Sequence, residues 1–267
     1  SKKVRIVDAK GVETMMSYSK LYNKALSISG SFSKKKSKKQ IPLIIQMPNV
    51  HEYLEVFWGS LCCNIPSIPF AIPKKYKSSD PLAKKMIETV EQFEQVFIVC
   101  QSEKKNEINN LLNATTSNNA IIITYEELID NVDHEIEAPK LDDIALYLMT
   151  SGSTGAPKLV PQTHKRIMQR SLGTIEVNKM TKDDVSLNWL PLDHVGGLVM
   201  FHIRDVIAKC EQLQVNTRFV LEKPIRWLEL CDKHDVNLTW APNFAFNLIN
   251  SFEKDIVNYE LNLSSLR

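Results

Sequence analysis

The chain has 267 residues, 43% of them hydrophobic, which is enough to bury a substantial core in one large domain or two smaller ones. Its 33 basic and 31 acidic residues leave a formal net charge of +2, so charge predicts neither nucleic acid nor a membrane as a partner. The N-terminus does not have the pattern of a secretory signal and no apolar run reaches about 18 residues, so we expect a cytoplasmic protein.

The five cysteines form no recognisable framework. They lie at positions 62, 63, 100, 210 and 231, without any C-x-x-C spacing. Disulfide scaffolds use even numbers of cysteines, and zinc sites use closely spaced pairs. We therefore predict buried thiols rather than a disulfide framework or a zinc site.

The first 150 residues alternate between short apolar runs, which predict buried strands, and helical patterns. Strands separated by helices form right-handed parallel crossovers, and ligands bind at the carboxyl ends of such strands. This predicts an α/β fold with mostly parallel sheets flanked by helices. The predicted strands are Lys2–Val7, Ile41–Met47, Val96–Cys100, Ala120–Thr124 and Ile144–Leu148, with an extended, proline-rich segment at Ile65–Pro73. The predicted helices are Thr14–Ser29, Glu52–Cys63, Pro81–Phe93, Glu103–Leu112 and a short one at Tyr125–Ile129.

Two polar segments interrupt this alternation. Ser33–Gln40 contains five lysines but no interleaved aromatic residue, which favours a solvated loop over a nucleic-acid patch. Asn131–Leu141 is a polar connection that leads into the strand at Ile144.

A phosphate-binding loop follows that strand. Its glycines allow positive φ and a close backbone approach, so that several N–H groups can point at anionic oxygens. Four hydroxyls and a lysine add donors and a positive charge. The candidate phosphate-binding residues are Thr150, Ser151, Gly152, Ser153, Thr154, Gly155 and Lys158.

This loop has two alternative interpretations. The P-loop of nucleotide hydrolases requires G-x-x-x-x-G-K-[ST], but Pro157 stands five residues after Gly152 and Leu159 follows the lysine, so that motif is excluded. A plain Ser/Gly turn between a strand and a helix needs fewer hydroxyls and no lysine.

The rest of the chain continues the alternation. We predict helices at Thr163–Val177, Leu198–Cys210, Pro224–His234 and Asn243–Phe252, and strands at Val185–Leu190, Gln212–Val215 and Val236–Trp240.

A second candidate site lies where the strand at Val185–Leu190 ends. Asp193 and His194 stand between Pro191 and a Gly-Gly pair that opens an apolar helix. In a parallel sheet this arrangement would put both side chains beside the phosphate loop. The alternative is that His194 only caps the helix that starts near Gly196.

Four stretches of the sequence resemble the adenylate-forming superfamily of acyl-CoA synthetases, fatty acyl-AMP ligases and nonribosomal-peptide adenylation domains. They are YLMTSGSTGAPKLVPQTH, LPLDHVGG, APNFAF and the P-x-x-W-L helix at Pro224–Leu228. The resemblance implies that the loop binds the phosphates of ATP, with Thr154 also contacting Mg²⁺. It makes His194 the catalytic candidate, which orients the acid and limits water access. It also implies substrate contacts from Asp193, His194, Gly196, Asn243 and Phe244. Helix initiation and core packing would explain Asn243 and Phe244 equally well.

Some residues depart from the family pattern. Leu159 replaces a common glycine after the lysine. Asp193 and Val195 differ from the usual Tyr and Asp beside the histidine of acyl-AMP ligases. The PLDHVGG form resembles the loading ligases at the start of hybrid polyketide/peptide assembly lines.

The resemblance implies ATP-dependent activation of a carboxylic acid, a fatty or hydroxy acid, as acyl-adenylate. The acyl group then passes to the phosphopantetheine thiol of an acyl carrier protein, or alternatively to coenzyme A. Activation of an amino acid ranks behind both. A non-catalytic docking module is the alternative from another class.

Residues 1–267 resemble only the N-terminal part of the family's adenylation domain. The family's adenine- and ribose-binding residues, hinge and mobile subdomain with its catalytic lysine find no counterpart here. We therefore expect the chain alone to be inactive, as an excised subdomain or a natural truncation product.

Overall fold

A computed structural model describes residues 2–35, 40–114, 119–129, 138–150, 157–251 and 259–267. The strands are β1 (Lys3–Val7), β2 (Glu13–Ser17), β3 (Leu43–Gln46), β4 (Ser67–Ile68), β5 (Val96–Cys100), β6 (Ala120–Thr124), β7 (Ile144–Thr150), β8 (Lys158–Thr163), β9 (Val185–Asn188), β10 (Glu211–Val215) and β11 (Leu238–Thr239). The helices are α1 (Tyr18–Ser33), α2 (Val50–Cys62), α3 (Pro81–Val90), α4 (Ser102–Asn113), α5 (His164–Val177), α6 (Arg204–Ala208), α7 (Thr217–Glu222), α8 (Ile225–Lys233) and α9 (Asn243–Asn250), and a π-helix, Gly196–Ile203, runs directly into α6.

The chain divides into two compact units. Unit 1 comprises Ser1–Tyr18 and Met168–Arg267, and unit 2 comprises Ser19–Ile167. Each unit contains one mostly parallel sheet, which confirms the predicted α/β fold class.

Unit 2 contains the six-stranded sheet β6-β5-β3-β4-β7-β8. Its first five strands are parallel, and β8 alone runs antiparallel, against β7. All residues of β3 and β5 are buried, as expected for central parallel strands covered on both faces. Two helices begin with side-chain caps: the Asn49 carboxamide accepts the His51 amide at 2.9 Å, and the Asp80 carboxylate accepts the Leu82 amide at 2.9 Å.

Unit 1 contains the five-stranded sheet β11-β9-β10-β1-β2. Strands β11, β9, β10 and β1 are parallel, and β2 forms an antiparallel edge. The core on one side is built around Leu187, Trp189, Leu213 and Trp227. Because these four strands are parallel, the segments that follow them all leave from the same side of the sheet, where the carboxyl ends of the strands lie.

Most predicted elements are confirmed, and two strands, β5 and β6, have the predicted bounds. Three elements were missed: β2, β8 and α7. Strand β2 occupies the start of the predicted Thr14–Ser29 helix, which begins only at Tyr18. Strand β8 contains Pro161, which is tolerated because β8 is an edge strand that needs no full set of amide donors.

The short helix predicted at Tyr125–Ile129 is wrong, because this segment forms turns. The amides of Glu127 and Leu128 donate to carbonyls three residues back. The Glu127 carboxylate accepts the Thr124 amide at 2.8 Å, and the Thr124 hydroxyl accepts the Glu127 amide at 3.3 Å. This reciprocal pair satisfies the local donors, as a capping box does, without any continuing helix.

The predicted helix Leu198–Cys210 begins two residues earlier, at Gly196, and its first part is π-helical. All five cysteines are free thiols, four of them buried. Within the described ranges, no helix combines the length and the apolar character needed to cross a membrane.

Candidate functional site

The predicted phosphate loop joins β7 and β8. Its first residue, Thr150, is the last of β7, at the carboxyl end of a strand that is parallel to β4, as predicted. Lys158 is the first residue of β8 and pairs with Thr150 across the antiparallel ladder. The loop therefore closes a hairpin and does not lead from a strand into a helix. Residues 151–156 lie outside the described residues, among them Ser151, Gly152, Ser153, Thr154 and Gly155.

The two described ends of the loop are held together. The Thr150 hydroxyl donates to the Lys158 carbonyl at 3.4 Å. The Gln92 carboxamide donates to the Pro157 carbonyl at 2.9 Å and so links the returning side to the residues after α3. Both Thr150 and Lys158 are exposed, so a hydroxyl and an ammonium group stand at the base of the loop. Gln92 was not predicted, because a glutamine in a helix-to-strand connection has no distinctive pattern.

The second group of predicted residues belongs to unit 1. Asp193 and His194 follow β9, whereas Asn243 and Phe244 follow β11. These two strands are parallel neighbours, with Leu187 opposite Thr239. Their carboxyl ends therefore meet at one edge of the unit 1 sheet, where ligands bind in open α/β sheets. The expectation that His194 and the phosphate loop share a sheet is wrong, because the loop belongs to the sheet of unit 2.

His194 lies in the turn before the π-helix. Its Nδ1 accepts a hydrogen bond from the Gly196 amide at 3.1 Å, and its carbonyl accepts the Leu198 amide at 3.0 Å. Because Nδ1 is the acceptor, the neutral imidazole carries its proton on Nε2. The side chain is exposed, so this Nε2–H is a donor available to a ligand oxygen. The capping contact proposed as the alternative is therefore present, and it also fixes the tautomer.

Asp193 precedes that histidine and is partly buried. Burial raises the pKa of its carboxyl above the ordinary value, while a hydrogen bond donated by its own backbone amide and attraction to the protonated form of His194 act in the opposite direction. A carboxyl with a raised pKa is more readily protonated and then becomes a hydrogen-bond donor.

The Gly-Gly pair lets the π-helix start against the end of β9. A Cβ at Gly197 would lie 2.6 Å from the Leu190 carbonyl oxygen and closer still to that of Pro191. A Cβ at Gly196 would lie 2.9 Å from the Leu190 side chain and 3.3 Å from His194 Nδ1. Gly197 therefore permits a close backbone approach, whereas Gly196 presents its amide to His194.

Aromatic side chains surround this edge of the sheet. Phe244 makes an edge contact with Trp189, with ring centroids 6.2 Å apart, yet remains 51% exposed. Trp240 stacks on Phe201 at 5.4 Å and lies close to Gly196. Asn243 is exposed in the first turn of α9. Neither Trp189 nor Trp240 was predicted; each directly follows a short strand, which is the signal that could have identified them.

A family profile described as AMP-binding enzyme matches residues 2–267. The chain belongs to the AMP-binding enzyme family. Its α/β architecture is accordingly that of the adenylate-forming superfamily that the four sequence stretches resemble.

Three comparisons place this AMP-binding chain among its relatives. It is similar to the solved McyG A-PCP complexed with phenylalanyl-adenylate, with 32% identity and a TM-score of 0.92 over 99% of this chain and 42% of that one. It is similar to the adenylation domain of a keto acid-selecting NRPS module bound to keto acyl adenylate, with 28% identity and a TM-score of 0.89 over 99% of this chain and 50% of that one. It is 37% identical over 116 residues to nonribosomal peptide synthetase btyA of Aspergillus terreus, over 43% of this chain and 12% of that protein.

The AMP-binding chain is much shorter than these relatives. It spans 12% of the length of btyA and 42% and 50% of the two solved chains.

Proposed function

We propose that this chain contributes the phosphate loop and acid-binding residues of an enzyme that activates a carboxylic acid with ATP. The carboxylate attacks the α-phosphorus, an acyl-adenylate forms and pyrophosphate leaves. The observation that carries this proposal is the family match over residues 2–267, which includes both the loop and the His194 segment.

The loop acts on the phosphates. Phosphoryl transfer depends on positioning and on neutralising charge more than on covalent help from the protein. In this proposal the amides and hydroxyls of residues 150–155, together with the Lys158 ammonium group, hold the β- and γ-phosphates as pyrophosphate leaves. Thr150 and Lys158 fit this role because both are exposed at the paired base of the hairpin.

The His194 segment acts on the acid. The Nε2–H of His194 donates to an oxygen of the carboxylate or of the acyl-adenylate, and Nδ1 keeps the ring oriented through the Gly196 amide. Asp193, Gly196 and Asn243 border the reacting carboxyl, and the exposed face of Phe244 offers apolar surface to the acyl chain. In this role His194 lowers the barrier by stabilising oxygen charge and by keeping water away from the adenylate.

Magnesium fits this scheme as a companion of ATP. In the part of the chain that the structure describes, no cluster of three or more His, Cys, Asp or Glu side chains could hold a metal ion. Mg²⁺ is usually bound through substrate phosphates, waters and few protein groups, so it does not require such a cluster. The hydroxyl of Thr154 is the proposed protein contact, and bound Mg²⁺ would neutralise phosphate charge.

The acid is proposed to be one without an amino group, of the fatty or hydroxy class. The bound ligand of the keto acid-selecting relative supports extending this class to keto acids, whereas the phenylalanyl-adenylate of the other relative supports an amino acid as the competing choice. The acceptor is proposed to be the phosphopantetheine thiol of a carrier protein, supported by the A-PCP architecture of that relative. Coenzyme A is the alternative acceptor.

The test is ATP–pyrophosphate exchange on the longest natural polypeptide that contains residues 1–267, with fatty, hydroxy, keto, aryl and amino acids. We expect exchange that depends on a non-amino acid. Lys158→Ala should lower this exchange about 100-fold, and Lys165→Ala, an exposed lysine of α5, should leave it unchanged. Absence of exchange with every acid would favour a non-catalytic docking module. Full exchange in Lys158→Ala would refute the role of the loop.

A further inference from the structure

Unit 1 contains a row of buried amide side chains, here called the polar stripe, formed by Asn188, Gln212 and Gln214. All three are at most 3% exposed. They lie on the neighbouring parallel strands β9 and β10, where Asn188 is directly opposite Gln214. Buried amides cost free energy unless they are hydrogen-bonded, so what these groups bond to indicates why they are there.

The stripe is a continuous chain of hydrogen bonds. The Asn188 carboxamide donates to Gln214 Oε1 at 2.8 Å, and Gln214 donates to Gln212 Oε1 at 2.9 Å. Gln212 then donates to the Tyr18 hydroxyl at 2.6 Å, which donates to the Cys210 carbonyl at 2.8 Å. One end of the polar stripe is thereby bonded to the backbone carbonyl of the residue that precedes β10.

The other end of the stripe holds the turn that leads to His194. Asn188 Oδ1 accepts the Leu190 amide at 2.9 Å, and Asn188 Nδ2 donates to the Leu190 carbonyl at 3.0 Å. One side chain thus binds both polar groups of residue 190. The Leu190 and Pro191 carbonyls are the atoms against which Gly197 packs.

The stripe also holds the far end of the π-helix. His202 is fully buried near the end of this helix, and its Nδ1 is 2.8 Å from Gln212 Oε1. Since Oε1 can only accept, His202 Nδ1 carries the proton in this contact. The turn before the helix and the last turn of the helix are therefore tied to the same three amides.

We propose that Asn188 is a positioning residue that fixes His194 through this stripe. Asn188 does not touch the acid. It holds Leu190, and Leu190 and Pro191 set where the π-helix begins and where the Nε2–H of His194 points. The inference rests on the proposed function for its catalytic consequence, whereas its structural consequence can be measured independently.

The decisive variants are Asn188→Ala and Asn188→Asp, with Ser186→Ala as the matched control. Ser186 is buried on the same strand, but it bonds to Arg204 and not to the turn. In the longest natural polypeptide, Asn188→Ala should lower carboxylate-dependent exchange about 100-fold without changing the KM for ATP, since small misplacements of reacting groups cost about that much. Ser186→Ala should reduce exchange less than threefold.

Asn188→Asp adds a readout that a merely destabilising change would not give. The ionised carboxylate opposes two acceptors, the Leu190 carbonyl and Gln214 Oε1. Once protonated, it recovers the acceptor and one donor, and burial favours the protonated form. The ratio of wild-type to Asn188→Asp ATP–pyrophosphate exchange should therefore be about tenfold smaller at pH 6 than at pH 8. An unchanged ratio across this range would count against the inference.

Amide hydrogen exchange over residues 189–197 tests the structural part. We expect about tenfold faster exchange in Asn188→Ala and wild-type rates in Ser186→Ala. Equal rates in the two variants would overturn the positioning role. If the wild-type protein activates no acid, the proposed function fails, and the hydrogen-exchange comparison still decides the inference.

Discussion

The two ring nitrogens of His194 have different surroundings. Nδ1 accepts the Gly196 amide, whereas Nε2 is the second ring nitrogen of a side chain that is exposed. Helix capping needs only the first nitrogen, whereas contact with an acid needs the second. A substitution that keeps the acceptor and removes the outward donor can separate the two roles.

His194→Asn is that substitution, because asparagine is a good helix cap but cannot reach the position of Nε2. We expect near-wild-type thermal stability and about 100-fold lower ATP–pyrophosphate exchange. His194→Ala, which removes both contacts, should lose the exchange and also about 1 kcal/mol of stability. If His194→Asn shows the ATP–pyrophosphate exchange of the wild type, His194 acts only as a helix cap.

His202 gives unit 1 a pH-dependent stability. Complete burial lowers its pKa to about 4, although its hydrogen bond with Gln212 acts in the opposite direction. The unfolded chain has the ordinary value near 6.5, so between pH 6.5 and 4 the unfolded state binds a proton that the folded state does not. Unit 1 therefore has its full stability above pH 6.5. As the pH falls from 6.5 to 4, its free energy of unfolding decreases by about 3 kcal/mol.

His202→Gln keeps a polar side chain and removes the titration. We expect the thermal midpoint of the wild type to fall more than that of His202→Gln between pH 7 and pH 4. Circular dichroism at several pH values measures both midpoints. Since other groups titrate equally in the two proteins, parallel curves would contradict the assignment.

Candidate residues at the site could be predicted from the sequence better than the buried hydrogen bonds that hold them. Asp193, His194 and Phe244 could be proposed as site residues because they follow predicted strands in distinctive motifs, and the structure places them after β9 and β11. Asn188 and Gln214 were not found, because a polar residue inside a strand looks the same whether it bonds to solvent or to a buried turn. Only the pairing of β9 with β10 brings them together.

At the level of elements, helices α1 and α2 pack closely against each other at Gly59 of α2. A Cβ at Gly59 would lie 2.5 Å from the Ile28 side chain and 3.1 Å from the Ala25 carbonyl oxygen. Ile28 is fully buried and branched at Cβ, so it has little freedom to move. The glycine therefore sets the distance between the two helices.

Gly59→Ala should destabilise unit 2 by about 2 kcal/mol through overpacking, measured as a lower urea midpoint. Gly173→Ala is the matched control, because nothing lies within 4 Å of its Cβ position in α5, and it should stabilise by up to about 1 kcal/mol. In an Ile28→Ala background the cost of Gly59→Ala should fall, since the two changes compensate in volume. Additive effects would contradict direct packing.

The mispredicted elements have two causes. Strands β2 and β8 lie at sheet edges, where a strand needs less apolar character and can include Pro161. The sequence at Tyr125–Ile129 resembles the start of a helix, but the segment forms turns in which the Glu127 carboxylate accepts the Thr124 amide. Central strands such as β5 were predicted to the residue, because burial on both faces demands a continuous apolar run.

At the level of the whole molecule, the sequence could predict the fold class but not the division into two sheets. Alternating strands and helices imply parallel pairing, yet periodicity does not say which strands share a sheet. Pairing of β1 with β10 joins residues about 200 positions apart. For this reason the loop and the His194 segment were expected in one sheet, although they belong to two.

Attack of a carboxylate on the α-phosphorus of ATP is tested most directly by following an oxygen isotope. The longest natural polypeptide containing residues 1–267 is given ATP and its best acid labelled with ¹⁸O in the carboxyl group, with hydroxylamine to trap the acyl group. Hydroxylamine attacks the acyl carbon, the bond from that carbon to the bridging oxygen breaks, and AMP leaves with this oxygen. We predict one ¹⁸O in AMP and none in pyrophosphate, by mass spectrometry. Label in inorganic phosphate, or AMP without label, would contradict adenylate formation.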